Sequence, residues 1–196
     1  MTHAVGDGAV RSVLDAYEFV EKQNGPRDRR WRIGHLEIVD PADRPRFAKH
    51  GIIAAFHPGA VIGRPVGDHV GKERLSAGLP WRDLIESGAI LSMGSDWPVE
   101  SLNPFPIIQT GATRRTGKNA FFPNQALTLD HVLAGYTRNN AYTEFMEKQI
   151  GSLETGKLAD LIVLSQDLYK IPAVQIGKTK VLLTMVDGRI VWWRGL

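Results

Sequence analysis

The sequence predicts an α/β fold: part of a TIM-type (β/α) barrel followed by a small β module. Three observations carry this reading. Short apolar runs alternate with segments of helical periodicity up to about residue 100, the pattern of parallel strands joined by helical crossovers. His35, His57 and Asp96 stand at or just past the ends of three successive runs, where barrel proteins build their sites, and His3 stands at the same point ahead of the first helix. Beyond residue 150 the pattern changes to strand-length runs, the last two joined by Asp187-Gly188, a type I′ hairpin signal.

The elements follow in order. Val10, Val13, Leu14, Tyr17 and Val20 fall at helical spacing between Gly8 and Gln23, with Asp7 as cap and Asn24-Gly25-Pro26 as stop. Trp31 to Ile33 reads as a short strand ending at His35. Asp40-Pro41 then offers an N-cap and a first-turn proline for a helix closing near His50-Gly51. Ile52 to Phe56 and Ala89 to Met93 are continuous apolar runs, expected as buried parallel strands, with a Trp81 to Ser87 helix ahead of the second. Asn103-Pro104 opens a short helix, Lys118 to Leu127 reads as a polar and aromatic loop, and Thr128 caps helical segments reaching about Phe145. Leu161 to Ser165, Val181 to Val186 and Arg189 to Trp193 are the strands of the tail. The expected division is residues 1–150 for the barrel part and 151–196 for the module.

At 196 residues, 43% of them hydrophobic and 23% charged, the chain has material for a core. It falls short of the roughly 250 residues of a closed eight-fold barrel. Lys plus Arg (24) against Asp plus Glu (21) leaves a net charge of +3, too balanced a distribution to imply nucleic acid as a partner. With no cysteine, a disulfide framework, a thiolate metal site and a cysteine nucleophile are excluded, so any metal must be held by His, Asp or Glu. Met1 to Arg11 lacks leader features and the apolar runs are too short for a bilayer, so the expectation is a cytoplasmic chain with no membrane partner.

His3, His35 and Asp96 form a nitrogen and oxygen donor set suited to a divalent ion such as zinc. His57 and His69 are weaker pocket candidates. His57 can equally be a structural residue beside Pro58, and His69 lies in the Gly63 to Gly78 loop, which reads as a connection more readily than as a lid. His50 and His131 read as surface or capping residues. Arg27, Arg29, Arg30 and Arg32 read as a solvated turn, and Arg114, Arg115 and Lys118 as a solvent face. Trp192 and Trp193 alternate on a strand, so one is expected to pack inward.

Four ordered motifs carry a resemblance: Thr2-His3-Ala4-Val5-Gly6-Asp7, Arg32-Ile33-Gly34-His35, Gly94-Ser95-Asp96-Trp97-Pro98-Val99, and Gly151 to Leu161. Together they resemble the C-terminal half of the amidohydrolase superfamily, in its family 3 branch of composite-domain hydrolases that includes N-substituted formamide deformylases. The resemblance implies a deformed barrel with His3 on strand five, His35 on strand six and Asp96 on strand eight. It further implies that His3 and His35 hold a divalent metal. Asp96 would bind the same metal, take the proton of the attacking water and pass it to a leaving amine, with Trp97 in the turn beside it as a substrate contact. The chain departs from the family in carrying Gly34 where Arg-Ile-Glu-His is usual and His57-Pro58 where Gln-Pro is usual. The His-x-His pair of strand one is also missing.

The resulting expectation is a metal-dependent hydrolase of C–N bonds in a small amide-like substrate, with zinc first among the ions, present as a C-terminal half. About three barrel strands would remain, with open edges that invite self-association or a missing N-terminal half. The alternative is a catalytically silent fragment that associates through those edges. A phosphate-binding barrel is disfavoured because no glycine-rich phosphate loop opens a helix after these strands.

Overall fold

The computed structural model describes residues 1–58, 70–71, 74, 78–116 and 119–195. His69, Lys118 and most of the Gly63 to Gly78 loop lie outside the described residues.

Four short runs pair side by side in chain order as a parallel sheet: β1 (Thr2–Ala4), β2 (Arg32–His35), β3 (Ile53–Phe56) and β4 (Ile90–Met93). Their registers align His3 with Gly34, Gly34 with Ala55, and Ala55 with Ser92. Parallel neighbours require crossovers, and the helical segments supply them. These are α1 (Asp7–Asn24), then a 3-10 turn (Pro41–Asp43) leading into α2 (Arg44–Lys49), and α3 (Trp81–Glu86). The expected remnant of about three strands is thus one strand too few. Thr2–Ala4, short as it is, completes a fourth by pairing with Ile33–His35.

The apolar stripe read on the first helix points inward, with Val10 and Leu14 fully buried. Its cap differs from expectation. Gly6 occupies the N-cap and Asp7 is the first helical residue, its carboxylate accepting the Gly8 N–H at 2.9 Å. The negative charge still favours the positive helix terminus. Asp40 does cap the next turn, accepting the Ala42 N–H at 2.9 Å. Arg46 ties α2 to α1 through Asp15 and Glu18, and His50 adds Glu21 at 2.6 Å, so His50 joins two helices rather than merely facing solvent. Phe47, Phe56, Trp81 and Leu84 fill the space between the sheet and these helices.

Beyond β4 come α4 (Pro104–Thr113), a small ribbon of β5 (Arg115–Thr116) and β6 (Asn119–Ala120), α5 (Leu129–Tyr136) and α6 (Arg138–Thr143). Asn103 and Thr128 cap α4 and α5 as expected, accepting the N–H groups of Phe105 and His131. Gly135 lets α5 lie directly on β4, since a Cβ there would stand 2.8 Å from Met93 Cγ. The Asn139 and Asn140 amides donate to the carbonyls of Leu91 and Met93 at 2.8 and 3.0 Å, so side chains of α6 take up carbonyls of the last strand in the sheet.

A three-stranded antiparallel sheet closes the chain: β7 (Leu161–Leu164), β8 (Val181–Val186) and β9 (Arg189–Trp193). Asp187 and Gly188 both take positive φ, 48° and 73°, as the hairpin signal requires. Neither Trp192 nor Trp193 packs inward, contrary to expectation; they are 45% and 62% exposed, because β9 is the outer strand and none of the described residues covers it. Two arginines also depart from their expected solvent positions. The Arg30 side chain is 8% exposed and Arg114 is fully buried. Among the described residues no helix is long and apolar enough to cross a membrane.

Candidate functional site

Strand direction sets the site. In a parallel sheet all the carboxyl ends face one way, and the polar residues following each strand gather there. His35 is the last residue of β2, His57 follows β3 directly, and Asp96 lies just beyond β4 after Gly94 and Ser95. One ligand-capable atom from each of these three residues lies within 4.8 Å of the other two. Asp96 opens a turn closed by the Val99 N–H on its own carbonyl at 2.8 Å, with the Trp97–Pro98 peptide cis inside it. Trp97 is 65% exposed beside the cluster.

Two of the three residues sit in backbone that L-residues avoid. His35 has φ 74° and Asp96 φ 54°, both in the left-handed region, and neither is glycine. Such conformations cost on the order of 1–3 kcal/mol each and persist where surrounding contacts impose them. Here the Leu36 N–H bonds to the Ala4 carbonyl at 3.1 Å and the Ile38 N–H to the Val5 carbonyl at 3.0 Å, bending the chain sharply after His35.

His57 is the buried member. Its side chain lies between two glycines: a Cβ at Gly34 would stand 3.7 Å from His57 Nε2, and one at Gly94 would stand 3.6 Å from Nδ1. Among the described residues neither ring nitrogen makes a well-formed hydrogen bond, although the Gly94 backbone acts on the ring. Burial lowers the pKa of the His57 ring below the ordinary histidine value, while the Asp96 carboxylate acts in the opposite direction. Desolvation thus favours the neutral ring, whose lone pair is available to a ligand.

Of the residues picked from sequence, the structure brings together His35, His57 and Asp96. His3 stands to one side. It is exposed on β1, with its ring edge-on to that of His35 at 4.2 Å between centroids; the His35 and His57 rings are 4.9 Å apart. His57, read from sequence only as a weak pocket residue, thus belongs to the cluster itself. Its signal was its place at a strand end beside Gly34, a pairing visible only once strand order is known. Two nitrogens and a carboxylate are donors suited to Zn²⁺ or a similar borderline divalent ion, and the buried imidazole of His57 fits that role.

A second concavity lies between α5, α6 and the antiparallel sheet. It is an open cleft of about 630 Å³ lined by residues including Tyr136, Ile150, Ile162 and Met185. None of the clustered residues faces it.

Comparison with known proteins agrees with this geometry. A model of the amidohydrolase family matches residues 1–192. The chain is 34% identical over 192 residues to the protein LONG AFTER FAR-RED 3 of Arabidopsis thaliana, covering 95% of this chain and 33% of that one. It is 32% identical over 191 residues to the N-substituted formamide deformylase of Arthrobacter pascens, covering 95% and 35%. Among solved structures, an uncharacterized metal-dependent hydrolase from Pyrococcus horikoshii superposes with a TM-score of 0.69 at 26% identity, covering 79% of this chain and 31% of that one. The chain thus spans about one third of the length of the curated relatives it matches. With one family model running through all four parallel strands and the three-stranded sheet, the chain belongs to the amidohydrolase family.

Proposed function

We propose that this chain is the C-terminal half of a metal-dependent amidohydrolase that cleaves a C–N bond in a small amide-like substrate. The observation that carries the proposal is the convergence of His35 and Asp96 with a third donor at the carboxyl ends of neighbouring parallel strands. In this reading β1 to β4 are the arc of a (β/α) barrel formed by strands five to eight. Residues 1–150 form the barrel part, and 151–196 contribute to a small β domain. The formamide substrate of the Arthrobacter relative supports the substrate class.

The centre takes a divalent ion, zinc first among candidates, held by His35 and Asp96 with His3 alongside. Such an ion supplies Lewis-acid polarisation and lowers the pKa of water toward neutrality. The residues of the chain do the rest. Asp96 takes the proton of the attacking water at its carboxylate and delivers it to the nitrogen of the leaving amine. The left-handed turn at Asp96 aims that carboxylate, and Trp97, exposed at the rim, gives the substrate an apolar contact. His57 fills the space between Gly34 and Gly94.

An association-only module with no chemistry is the second reading, favoured by the uncovered apolar residues of β9. One experiment separates the two. Hydrolysis of a panel of small amides, N-formyl amines and cyclic imides by the assembled protein is expected, and Asp96→Asn is expected to lower it by about 10²–10⁴-fold. Equal turnover by wild type and Asp96→Asn would remove Asp96 from the mechanism, and no turnover by either would favour the silent module.

A further inference from the structure

We propose that His57 is itself a ligand of the divalent ion, so that His35, His57 and Asp96 form a three-residue cation site carried wholly by this chain. The proposal rests on the reading that the centre binds a divalent ion, and it changes which residues hold that ion.

The argument begins with an unsatisfied group. His57 is 8% exposed, and among the described residues neither of its buried ring nitrogens makes a well-formed hydrogen bond. Buried polar atoms are nearly always paired, because leaving one unpaired forfeits its hydration without compensation. The Gly94 backbone engages the ring at one nitrogen at most, which leaves the other for a ligand. A cation beside the ring accounts for such a nitrogen. The ring's position points the same way, since a ligand-capable atom of His57 stands within 4.8 Å of those of both His35 and Asp96. Donors held at about 2.0–2.2 Å from one tetrahedral ion stand roughly 3.5 Å apart, so a small inward movement of the side chains closes the set on an ion.

The strand register makes the room. Gly34 and Gly94 flank the ring, and a Cβ at either would already touch a ring nitrogen, at 3.7 and 3.6 Å. At position 34 a Cβ would also meet Met1 Sδ, at 3.3 Å, so the room beside the ring is tight. The bare backbone of β2 and the glycine after β4 therefore form a slot for a side chain arriving from β3 between them. His3 has no such slot. It is exposed, and its ring rests against His35 instead of joining the converging set. Two imidazoles and one carboxylate give the ion three protein ligands and leave a fourth position open, the arrangement of reactive rather than purely structural zinc sites.

The test is Zn²⁺ binding to the 196-residue chain by isothermal titration, with His57→Asn and His35→Ala as variants and circular dichroism to verify folding. Wild type is expected to bind one ion, and His57→Asn to weaken binding by more than about 100-fold. Residues that merely orient a ligand account for only about 10–100-fold. A second measurement needs no variant. Backbone-assigned ring-nitrogen chemical shifts of the wild-type chain should move at His57 and at His35 when Zn²⁺ is added, as direct coordination requires. If the wild type binds no Zn²⁺, the metal reading and the ligand assignment fall together. If it binds Zn²⁺ while the His57 nitrogens stay unmoved, the assignment alone is overturned.

Discussion

Arg114 is fully buried, its guanidinium 3.9 Å over the Trp81 ring and its Nε–H donating to the Phe121 carbonyl at 3.0 Å. Nη1 and Nη2 have no partner among the described residues. Burial lowers the pKa of this guanidinium, a sign that its charge is held at a cost. The contact with Trp81 returns part of that cost through cation–π attraction and packing of the apolar stem. Arg114→Met keeps the stem and removes the buried charge, so its melting temperature is expected to equal or exceed that of wild type in differential scanning calorimetry. A fall of several degrees would mean that the charge itself has a partner. At this scale the sequence was a partial guide. His35 and Asp96 could be read because each ends an apolar run. Arg30 and Arg114 could not, because nothing near them in the chain announces the aromatic faces of Tyr142 and Trp81 on which they stack. His57 lay between these cases, its strand-end position legible and its buried ring nitrogens not.

Between elements, the segment entering β2 is locked to the end of the helical region by one arginine. Arg30 lies over Tyr142 at 3.8 Å and over Phe145 at 3.9 Å, and it pairs bidentately with Glu147 at 2.8 Å on each side. Such a fork is the strongest form of this ion pair. The pairing lowers the Glu147 carboxyl from 4.5 to about 2. A carboxyl whose folded pKa is depressed stabilises the fold above its unfolded value, and that contribution disappears as the pH falls through the folded value. The melting temperatures of wild type and Glu147→Gln are therefore expected to differ at pH 7 and to converge as the pH drops from about 4.5 toward 2. A gap that persists at pH 2 would place the contribution in packing rather than charge. The elements themselves were largely legible, since apolar runs and the caps Asp40, Asn103 and Thr128 mark their own ends. The first helix cap was not, because Asp7 and Gly6 are both acceptable at a helix start and only backbone geometry separates them. The fourth parallel strand was also missed: three residues carry too little periodicity to be seen alone.

For the whole molecule, the two sheets end differently. At β4 the amides of Asn139 and Asn140 occupy strand carbonyls, whereas β1 pairs only with β2 among the described residues. The outer strand of the antiparallel sheet leaves Ile190, Val191, Trp192 and Trp193 between 45% and 62% exposed. Apolar side chains left exposed on both faces of an outer strand would suit association with another chain. Sedimentation of the chain is expected to show species heavier than 21.7 kDa, and Trp193→Lys with Ile190→Lys to shift them toward the monomer. A monomer at all concentrations would count against association through β9. The antiparallel sheet was legible from Asp187-Gly188, but the exposure of its tryptophans depends on what the chain does not place over them.

The left-handed backbone at His35 and Asp96 also bears on how this site survives. Glycine suits those torsions better than histidine or aspartate, so drift toward a sturdier fold runs directly through the loss of these side chains. A lineage selected only for robustness would erase the cluster first. A lineage that keeps both residues in these torsions is spending robustness on something the bare fold does not need.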